Sequence, residues 1–398
     1  MSERLDHLDF EVGPMPVLSP RVPFSTERVR APDYGHYLED FVPGTVFVHP
    51  RGVTVSRGLM LDYATTFMEA NPLYLNESYA RAMGYHGLPA APHLVMNLAL
   101  SLGVQNDSEK AIANLGYYDV RFLRPVVAGD VLTGMTRVAA RKDRGVGKPG
   151  IATIETLAQN QDGQVVIQYR RKVFVPRRGD GPIDEAARAD GGGVDFPYAA
   201  KPRLHVPRPA AGWPSPGGLT LAASRLGAFR AGDIIVHRNG RTITDEHVGW
   251  TYRVMNTHPL HYDRLYSQAQ SGPMSGEPIV YGGLVFAWLL GLASRDVTEN
   301  AVWDLGYHDG YHTQPTFAGD TVAALSRVLA VEAGPTPEAG VVRMQLVGVK
   351  NVRAEEALDR FGEDLFLNEN SKRDLGKEKI PEKIFEIERA VLIRSGGA

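Results

Sequence analysis

The chain has 398 residues and a formal net charge of −3, and its 43% apolar content is enough for a core in two domains or one duplicated unit. The lack of a basic excess argues against a nucleic-acid partner, and the absence of cysteine excludes disulfides and thiolate chemistry and suits a reducing compartment. No apolar run approaches the roughly 20 residues that a bilayer needs, and no signal-peptide pattern begins the chain, so we expect a soluble cytoplasmic protein without a membrane partner.

Two halves of the chain repeat one pattern. LGYYDVRFLRPVVAGDVL begins at Leu115 and LGYHDGYHTQPTFAGDTV begins at Leu305, an offset of 190 residues. Two upstream pairs of blocks keep nearly the same register, with FVPGTVFVHPRGVTV (41–55) against FRAGDIIVHRNGRTI (229–243), and NPLYLNESYA (71–80) against HPLHYDRLYS (258–267). Aligned blocks at a constant spacing indicate duplication. We expect the two halves to adopt similar folds with their sheets joined edge to edge.

Each copy has the same predicted order: a strand, a helix, a polar loop, a long apolar helix and then consecutive strands. The first-copy elements are strand 45–50, helix 57–70, apolar helix 94–104 and strands 131–142, 151–159 and 165–175. The second-copy elements are strand 233–238, helix 245–256, apolar helix 284–294 and strands 343–351 and 384–394. One helix with consecutive hairpin-connected strands predicts an α+β unit, an antiparallel sheet packed on a helix, made twice.

Composition divides the chain further. We expect an N-terminal extension (1–35), a first unit (36–176), a proline- and glycine-rich linker on the surface (177–218) and a second unit (219–398). Within the second unit, the charge-rich segment 352–383 replaces the hairpin turn of the first. Its charge predicts a solvated excursion with one short helix at RAEEALDRF, removable at little cost to activity.

The motifs of both halves resemble those of the MaoC-like hydratases, which have the hot-dog fold. The similarity rests on Asn/His-Pro-Leu after the first helix, on PIVYGG (278–283) before the apolar helix, and on the Pro-x-x-x-Gly-Asp segments that end in Ala-Gly-Asp. Within that family, PIVYGG, YHTQPTFAGDT (311–321) and NLGYYDVRFLRPV (114–126) are most similar to mesaconyl-CoA (2-methylfumaryl-CoA) hydratases, also called β-methylmalyl-CoA dehydratases. The resemblance implies a double hot-dog fold, in which each long helix is wrapped by an antiparallel sheet.

The same resemblance implies a hydro-lyase whose partner is an acyl-CoA substrate, most simply mesaconyl-CoA. CoA enters only as part of the substrate, and neither a redox cofactor nor a metal site is expected, since no nucleotide-binding loop or metal-binding spacing is present. We also expect a homo-oligomer, most simply a dimer. Three alternatives stay open: an (R)-specific enoyl-CoA hydratase on other acyl chains, a hot-dog thioesterase, and a non-catalytic acyl-thioester-binding protein.

The family motif Asp-x-Asn-Pro-x-His, whose Asp and His move the protons, is incomplete in both halves. Residues 256–261 read Asn-Thr-His-Pro-Leu-His, which keeps the histidine, and residues 69–74 read Glu-Ala-Asn-Pro-Leu-Tyr, which keeps a carboxylate. His261 and Asn256 are therefore the candidate catalytic residues, because imidazole can exchange a proton near neutral pH and an amide can only orient. The alternatives are a structural histidine and a helix-capping asparagine; His258 is expected to face solvent.

Five further residues are candidate substrate contacts. Tyr281, Gly282 and Gly283 precede or begin the apolar helix, whose free N–H groups suit a thioester oxygen that gains negative charge. The first copy has Pro92 where the glycine pair would begin, which predicts one working site per chain, in the second half. His312 is a candidate for the substrate channel, and Arg121 for a substrate carboxylate. A tight turn, a buried structural histidine and a surface arginine are the respective alternatives.

The aspartates of the Ala-Gly-Asp turns, Asp130 and Asp320, should accept backbone N–H groups.

Overall fold

One antiparallel sheet organises the molecule. Within residues 25–270 and 272–395, which the computed structural model describes, ten strands pair in the order β1-β3-β4-β5-β2-β7-β10-β9-β8-β6. The strands are β1 Val46–Thr54, β2 Ala113–Phe122, β3 Val131–Lys142, β4 Gly150–Gln159, β5 Val165–Val175, β6 Ile234–Thr242, β7 Ala301–His312, β8 Thr321–Thr336, β9 Ala339–Lys350 and β10 Lys383–Arg394.

The strand order of the second copy mirrors that of the first: β7, β10, β9, β8 and β6 correspond to β2, β5, β4, β3 and β1. The two copies therefore form one continuous sheet. They meet where β2 pairs with β7, in a register that sets Tyr117 opposite Gly310 and Val120 opposite Tyr307. The alternation of apolar and polar residues predicted strands 131–142 and 165–175, and β3 and β5 coincide with them. The expected duplication of the fold and the edge-to-edge junction are confirmed.

Eight α-helices lie in the described chain, and two of them carry the core. These two, α3 and α7, are buried along almost their whole length: α7 is apolar on every face, and α3 is apolar apart from a buried row of His93, Asn97 and Ser101. Asn97 on α3 donates to the Gly283 carbonyl on α7 (3.0 Å), and a Cβ at Gly283 would lie 1.8 Å from the Asn97 Oδ1, so only glycine allows this approach. The helices are α1 Arg57–Thr66, α2 Glu77–Ala82, α3 Pro92–Gly103, α4 Asp245–Val248, α5 Trp250–Arg253, α6 Arg264–Ala269, α7 Gly282–Ala293 and α8 Ala354–Phe361.

Two expectations about the second half were wrong. The helix expected over 245–256 is two four-residue helices, α4 and α5, that meet at Gly249. The segment between β9 and β10 contains the expected short helix, α8, yet it is not a solvated excursion. Ala357, Leu365 and Phe366 are buried against the outer face of β8 and β9, over residues such as Leu325 and Val347. The average charge of the segment is high, and it does not reveal that these apolar residues share one face.

A second buried cluster in that segment is ionic. Lys372 and Glu369 form an ion pair (2.6 Å) with almost no exposed surface, and Lys383, at the start of β10, bonds Glu386 (2.8 Å) beside them. Removal of one partner from a buried pair leaves an uncompensated charge, which is strongly destabilising. The segment is therefore part of the fold, and its deletion is expected to be costly.

The remaining segments are simpler. Residues 177–218 contain no α-helix or strand, and Arg208 there pairs with Glu338 of the β8–β9 turn. Most of the expected extension, 1–24, lies outside the described residues, and residues 25–33 belong to a separate unit with one short turn, Thr26–Arg28. No described helix has both the length and the apolar character to cross a membrane.

Candidate active site

A sharp turn after α5 places the first site residue. Met255 has a positive φ of 69°, which is rare outside glycine and reverses the chain. Asn256 follows, buried, and its Oδ1 accepts the backbone N–H of His258 (2.9 Å). Since that bond fixes Oδ1 as the acceptor, Nδ2 is the other atom of the amide, and it donates to no described residue. The amide thus brings a free N–H donor to a cavity that Asn256 lines.

His261 ends a single 3-10 turn, Pro259–His261, that Pro259 begins. Its Nδ1 lies 3.1 Å from the Ile279 carbonyl oxygen, which can only accept, so Nδ1 carries the proton and Nε2 keeps its lone pair. Burial, and secondarily the nearby His258 and His312, lower the pKa of His261 to about 3. The imidazole is therefore neutral and available as a proton acceptor throughout the neutral pH range.

His258 was expected to face solvent, and that expectation was wrong. It is buried, its Nδ1 accepts the N–H of Leu260 (3.2 Å), and its Nε2 donates to the Ala111 carbonyl of the first half (2.9 Å). Burial lowers its pKa. With both ring nitrogens bonded to backbone, His258 anchors the loop against the first half and has no free atom for proton transfer.

The start of α7 forms a second wall. Tyr281 is the N-cap residue, with its ring centroid 5.3 Å from that of His261, and its buried hydroxyl lies next to the Ser101 hydroxyl without a well-oriented hydrogen bond. The amides of Gly282 and Gly283 donate to no described residue, as expected for the first turn of a helix. Gly282 lines the cavity, whereas Gly283 does not, and the close packing on Asn97 accounts for the second glycine.

His312, on β7, closes the cavity beside Gly282. A Cβ at Gly282 would lie 2.6 Å from the His312 Nε2, so the ring occupies the space that a side chain would need. The same nitrogen lies 3.3 Å from the Tyr117 hydroxyl of β2, across the junction of the two halves. Burial lowers the pKa of His312 to about 4. His308, by contrast, is exposed and pairs with Asp119 (3.2 Å).

These groups surround one cavity of about 410 Å³, of the size that holds a small acyl group. Five of the seven candidate residues line it, together with wall residues from both halves and Asn370 of the 352–383 segment. The five are Asn256, His261, Tyr281, Gly282 and His312. Both Ala-Gly-Asp turns also form as expected, since Asp130 accepts the Val127 N–H and Asp320 the Phe317 N–H, each through Oδ2 (2.8 and 2.9 Å).

Arg121 was expected to meet the substrate, and the structure places it elsewhere. Its Nη1 donates to the Val120 carbonyl beside Gly306, and the residue is not part of the cavity wall. The arginine that lines the cavity is Arg171, on β5, with Asn114 on β2 as another polar neighbour. Sequence analysis did not identify either residue. One signal was present for Asn114: the repeat aligns it with Asp304 at the offset of 190, so the two halves differ at this position within an otherwise similar segment.

The equivalent place in the first half is nearly filled. Glu69 repeats the contact of Asn256, because its Oε1 accepts the N–H of Asn71 (2.9 Å) after a Met68 with a φ of 59°. The counterpart cavity, which Tyr74 and His93 line, measures only about 10 Å³. A substrate therefore fits the second-half site and not the first.

No group of histidines and carboxylates arranged to hold a metal ion occurs in the described chain. Among the imidazole nitrogens around the cavity, both of His258 and the Nδ1 of His261 bond backbone groups, and the Nε2 of His312 contacts the Tyr117 hydroxyl. The site is built from proton-transfer and hydrogen-bonding groups.

Comparison with known proteins identifies the family. The family model for mesaconyl-CoA hydratase matches residues 23–355. The mesaconyl-CoA hydratase of Cereibacter sphaeroides is 32% identical over 80% of this chain and 90% of its own length, and the β-methylmalyl-CoA dehydratase of Chloroflexus aurantiacus is 29% identical over 80% and 89%.

Solved structures agree with these relatives. A MaoC domain protein dehydratase from Chloroflexus aurantiacus has a TM-score of 0.75 at 26% identity and covers 91% of this chain and 98% of its own. A conserved hypothetical protein from Mycobacterium tuberculosis with a double hotdog fold, at 20% identity and a TM-score of 0.67 over 90% and 98%, supports the fold alone. The chain is a double hot-dog protein and belongs to the mesaconyl-CoA hydratase family.

Proposed function

We propose that the protein reversibly hydrates mesaconyl-CoA to β-methylmalyl-CoA, by adding water across the double bond conjugated to the thioester. The observation that carries this proposal is the neutral His261 imidazole, its Nε2 free, in the same cavity as the unpaired amide of Gly282. A base for water and a donor for the thioester oxygen are the two groups that such an addition needs.

In the hydration direction, the water oxygen bonds to the β-carbon while His261 Nε2 takes one of its protons. The π electrons move toward the thioester carbonyl, and the amide of Gly282, at the positive end of α7, stabilises the oxygen as it becomes enolate-like. The imidazolium then returns its proton to the α-carbon. Burial lowers the pKa of His261 to about 3, so its conjugate acid is strong and favours this second transfer, while the imidazole is a correspondingly weak base for the first.

Asn256 takes the position of the family's aspartate without its charge. Its Nδ2 hydrogen can hold the oxygen of the attacking water, which leaves a water proton directed at His261. In this assignment, Asn256 positions the water and His261 carries both proton transfers. CoA enters as part of the substrate, and the chain's own groups supply the proton chemistry.

The direct test is a spectrophotometric assay with purified protein and mesaconyl-CoA. Hydration removes the conjugated enoyl-thioester chromophore, so absorbance should fall with time and should rise when β-methylmalyl-CoA is supplied. A parallel thiol assay should show no free CoA. Release of thiol without enoyl hydration would establish a thioesterase, and neither signal would favour a non-catalytic binding protein.

The assembly belongs to the same proposal. We propose a homo-oligomer, most simply a homodimer, with each chain carrying its own site, since both walls of the cavity come from one chain. Light scattering of the purified protein measures the mass, and a monomer with full hydratase activity would refute the oligomer and leave the site intact.

A further inference from the structure

We propose that Arg171 and Asn114 bind the free carboxylate of the substrate and so select dicarboxylic thioesters. This inference rests on the proposed hydratase function, since it assigns the part of the same cavity that recognises the acyl chain. Asn114 begins the segment NLGYYDVRFLRPV, Arg171 lies outside the family-like segments, and both belong to the half without the catalytic loop.

Arg171 is a buried cation with a donor to spare. The residue is only 3% exposed yet lines the cavity, and its Nη2 donates to Asp107 Oδ1 (2.8 Å) and Ser108 Oγ (3.1 Å). Its Nε is buried and has no hydrogen-bond partner among the described residues. Buried donors in native proteins are nearly always paired. Arg389 on β10 also has an unpaired Nε, but it borders a cavity of only about 10 Å³, whereas Arg171 lines one of about 410 Å³ in which a ligand can supply the acceptor. Asp107 holds one edge of the guanidinium in place and leaves Nε available to a ligand.

Asn114 adds a second unpaired group. Both atoms of its side-chain amide are buried without a well-oriented hydrogen-bond partner, although the residue lies next to the Tyr117 phenol and lines the same cavity. A buried amide with neither atom satisfied is costly for the free protein. Its Nδ2 would complement a donor such as Arg171 Nε around a carboxylate.

The closed first-half site has the same pair of tyrosine and arginine, and there the pair binds a carboxylate. The register pairs Tyr117 with Arg171 across β2 and β5, and it pairs Tyr307 with Arg389 across β7 and β10. Arg389 is thus the counterpart of Arg171. There the strand itself supplies the carboxylate: Asp304 accepts from Arg389 (2.7 Å) and from Tyr307 (2.8 Å).

In the open site, the position of that aspartate is Asn114, at the repeat offset of 190. Asparagine is neutral where the closed half has an anion next to the repeated pair of tyrosine and arginine. In the open half the internal anion is Asp107, which accepts from Nη2 of Arg171 and leaves the side of Asn114 uncharged. A carboxylate of the substrate can approach on that side, where an aspartate at position 114 would repel it.

Position within the cavity suits the substrate. Tyr117, the cross-strand neighbour of Arg171, contacts His312, and His312 packs on Gly282 at the proposed thioester site. In mesaconyl-CoA the free carboxyl group is attached to the β-carbon, at the far end of a four-carbon acyl chain. A ligand with its thioester oxygen at Gly282 therefore extends its carboxylate along this row of side chains.

The test measures binding without turnover. The matched pair of probes is 2-methylsuccinyl-CoA and 2-methylbutanoyl-CoA, saturated thioesters that differ by a carboxylate against a methyl group and cannot be hydrated. By calorimetry the wild-type protein should bind the first at least about 10-fold more tightly, because a charge-assisted contact replaces an unpaired donor. Equal affinity for the two probes would overturn the proposal even if the protein is an active hydratase.

Asn114→Asp is the decisive variant, because it rebuilds the internal anion of the closed half. It should weaken 2-methylsuccinyl-CoA binding by roughly 100-fold, through repulsion between like charges at short range, and change 2-methylbutanoyl-CoA binding less than about 3-fold. Asn114→Leu removes the donor without adding charge and should cancel most of the preference. Asn160→Asp, in the β4–β5 turn where Oδ1 already accepts backbone N–H groups, is the matched charge control.

Kinetics then separate this inference from the function on which it rests. With mesaconyl-CoA and its methyl analogue tiglyl-CoA, Asn114→Asp should lower kcat/KM for the first alone. Equal losses for both substrates would mean a general structural effect and would refute the assignment. Wild-type protein that discriminates between the saturated probes but hydrates neither unsaturated thioester would refute the hydratase function and keep the carboxylate site.

Discussion

Replacement of His261 by alanine should separate catalysis from folding. The substitution removes the proton acceptor but leaves the Gly282 amide and the cavity in place, so part of the rate enhancement persists. Loss of a general acid–base group typically lowers turnover by about 10²–10⁴-fold, which corresponds to roughly 3–5 kcal/mol of barrier. We expect kcat to fall by that factor, with KM little changed, because His261 acts on water rather than on the CoA portion.

Stability should change much less. His261 borders a cavity of about 410 Å³, so its truncation enlarges existing space instead of opening a new void in the packed core. The one hydrogen bond that disappears, to the Ile279 carbonyl, is worth roughly 0.5–1.5 kcal/mol. Chemical denaturation of the wild type and the variant should therefore give free energies of unfolding within about that range.

The matched control is Tyr74→Phe, at the equivalent position of the closed first half. Since no substrate fits there, the mesaconyl-CoA assay should show nearly wild-type turnover for this variant. The reasoning fails if His261→Ala keeps full activity, or if Tyr74→Phe loses as much as His261→Ala does. The first result would remove His261 from the chemistry, and the second would place the working site in both halves.

Three further substitutions test other parts of the structure. Asn256→Asp restores the family carboxylate, and its negative charge should raise the pKa of His261 from about 3. The acid limb of kcat/KM should therefore move to higher pH. An unchanged pH profile would contradict the proximity of residue 256 to His261. Gly282→Ala sets a Cβ 2.6 Å from His312 Nε2 and should lower kcat/KM by roughly 10²-fold through loss of the oxygen site, whereas Gly227→Ala, in open space, should be neutral. Leu365→Ala, fully buried under the outer face of the sheet, should cost about 2–5 kcal/mol in denaturant unfolding, and no loss would mean that 352–383 is solvated after all.

Local pattern was sufficient for the elements and for much of the site. Period-two alternation identifies β3 and β5, the predominantly apolar runs identify α3 and α7, and the repeat assigns the two halves. His261 and Gly282 could be found because each sits in a short motif whose chemistry depends on adjacent positions, a proline-stiffened turn and a helix start.

Other features depended on averages that mislead. The 352–383 segment has enough charge to resemble a solvated loop, but Leu365 and Phe366 lie at positions that face the sheet. Burial depends on which face each residue presents rather than on the composition of the window. The same reason explains His258, whose polar ring is buried because two backbone groups, Leu260 N–H and Ala111 carbonyl, satisfy it.

By itself, the sequence determined that the chain is a duplicated α+β protein and predicted a single working site in its second half, because periodicity, motif and repeat offset are all properties of the sequence pattern. Tertiary structure alone decided which cation reaches the cavity. Arg171 is 90 residues from His261 in sequence, and the two meet only because β2 pairs with β7 and brings the first half's strands against the second half's loop. Arg121 lies in a family-like segment, unlike Arg171, but it does not line the cavity. The side to which a strand residue points is set by register and bulges across the sheet, which a local sequence pattern does not record.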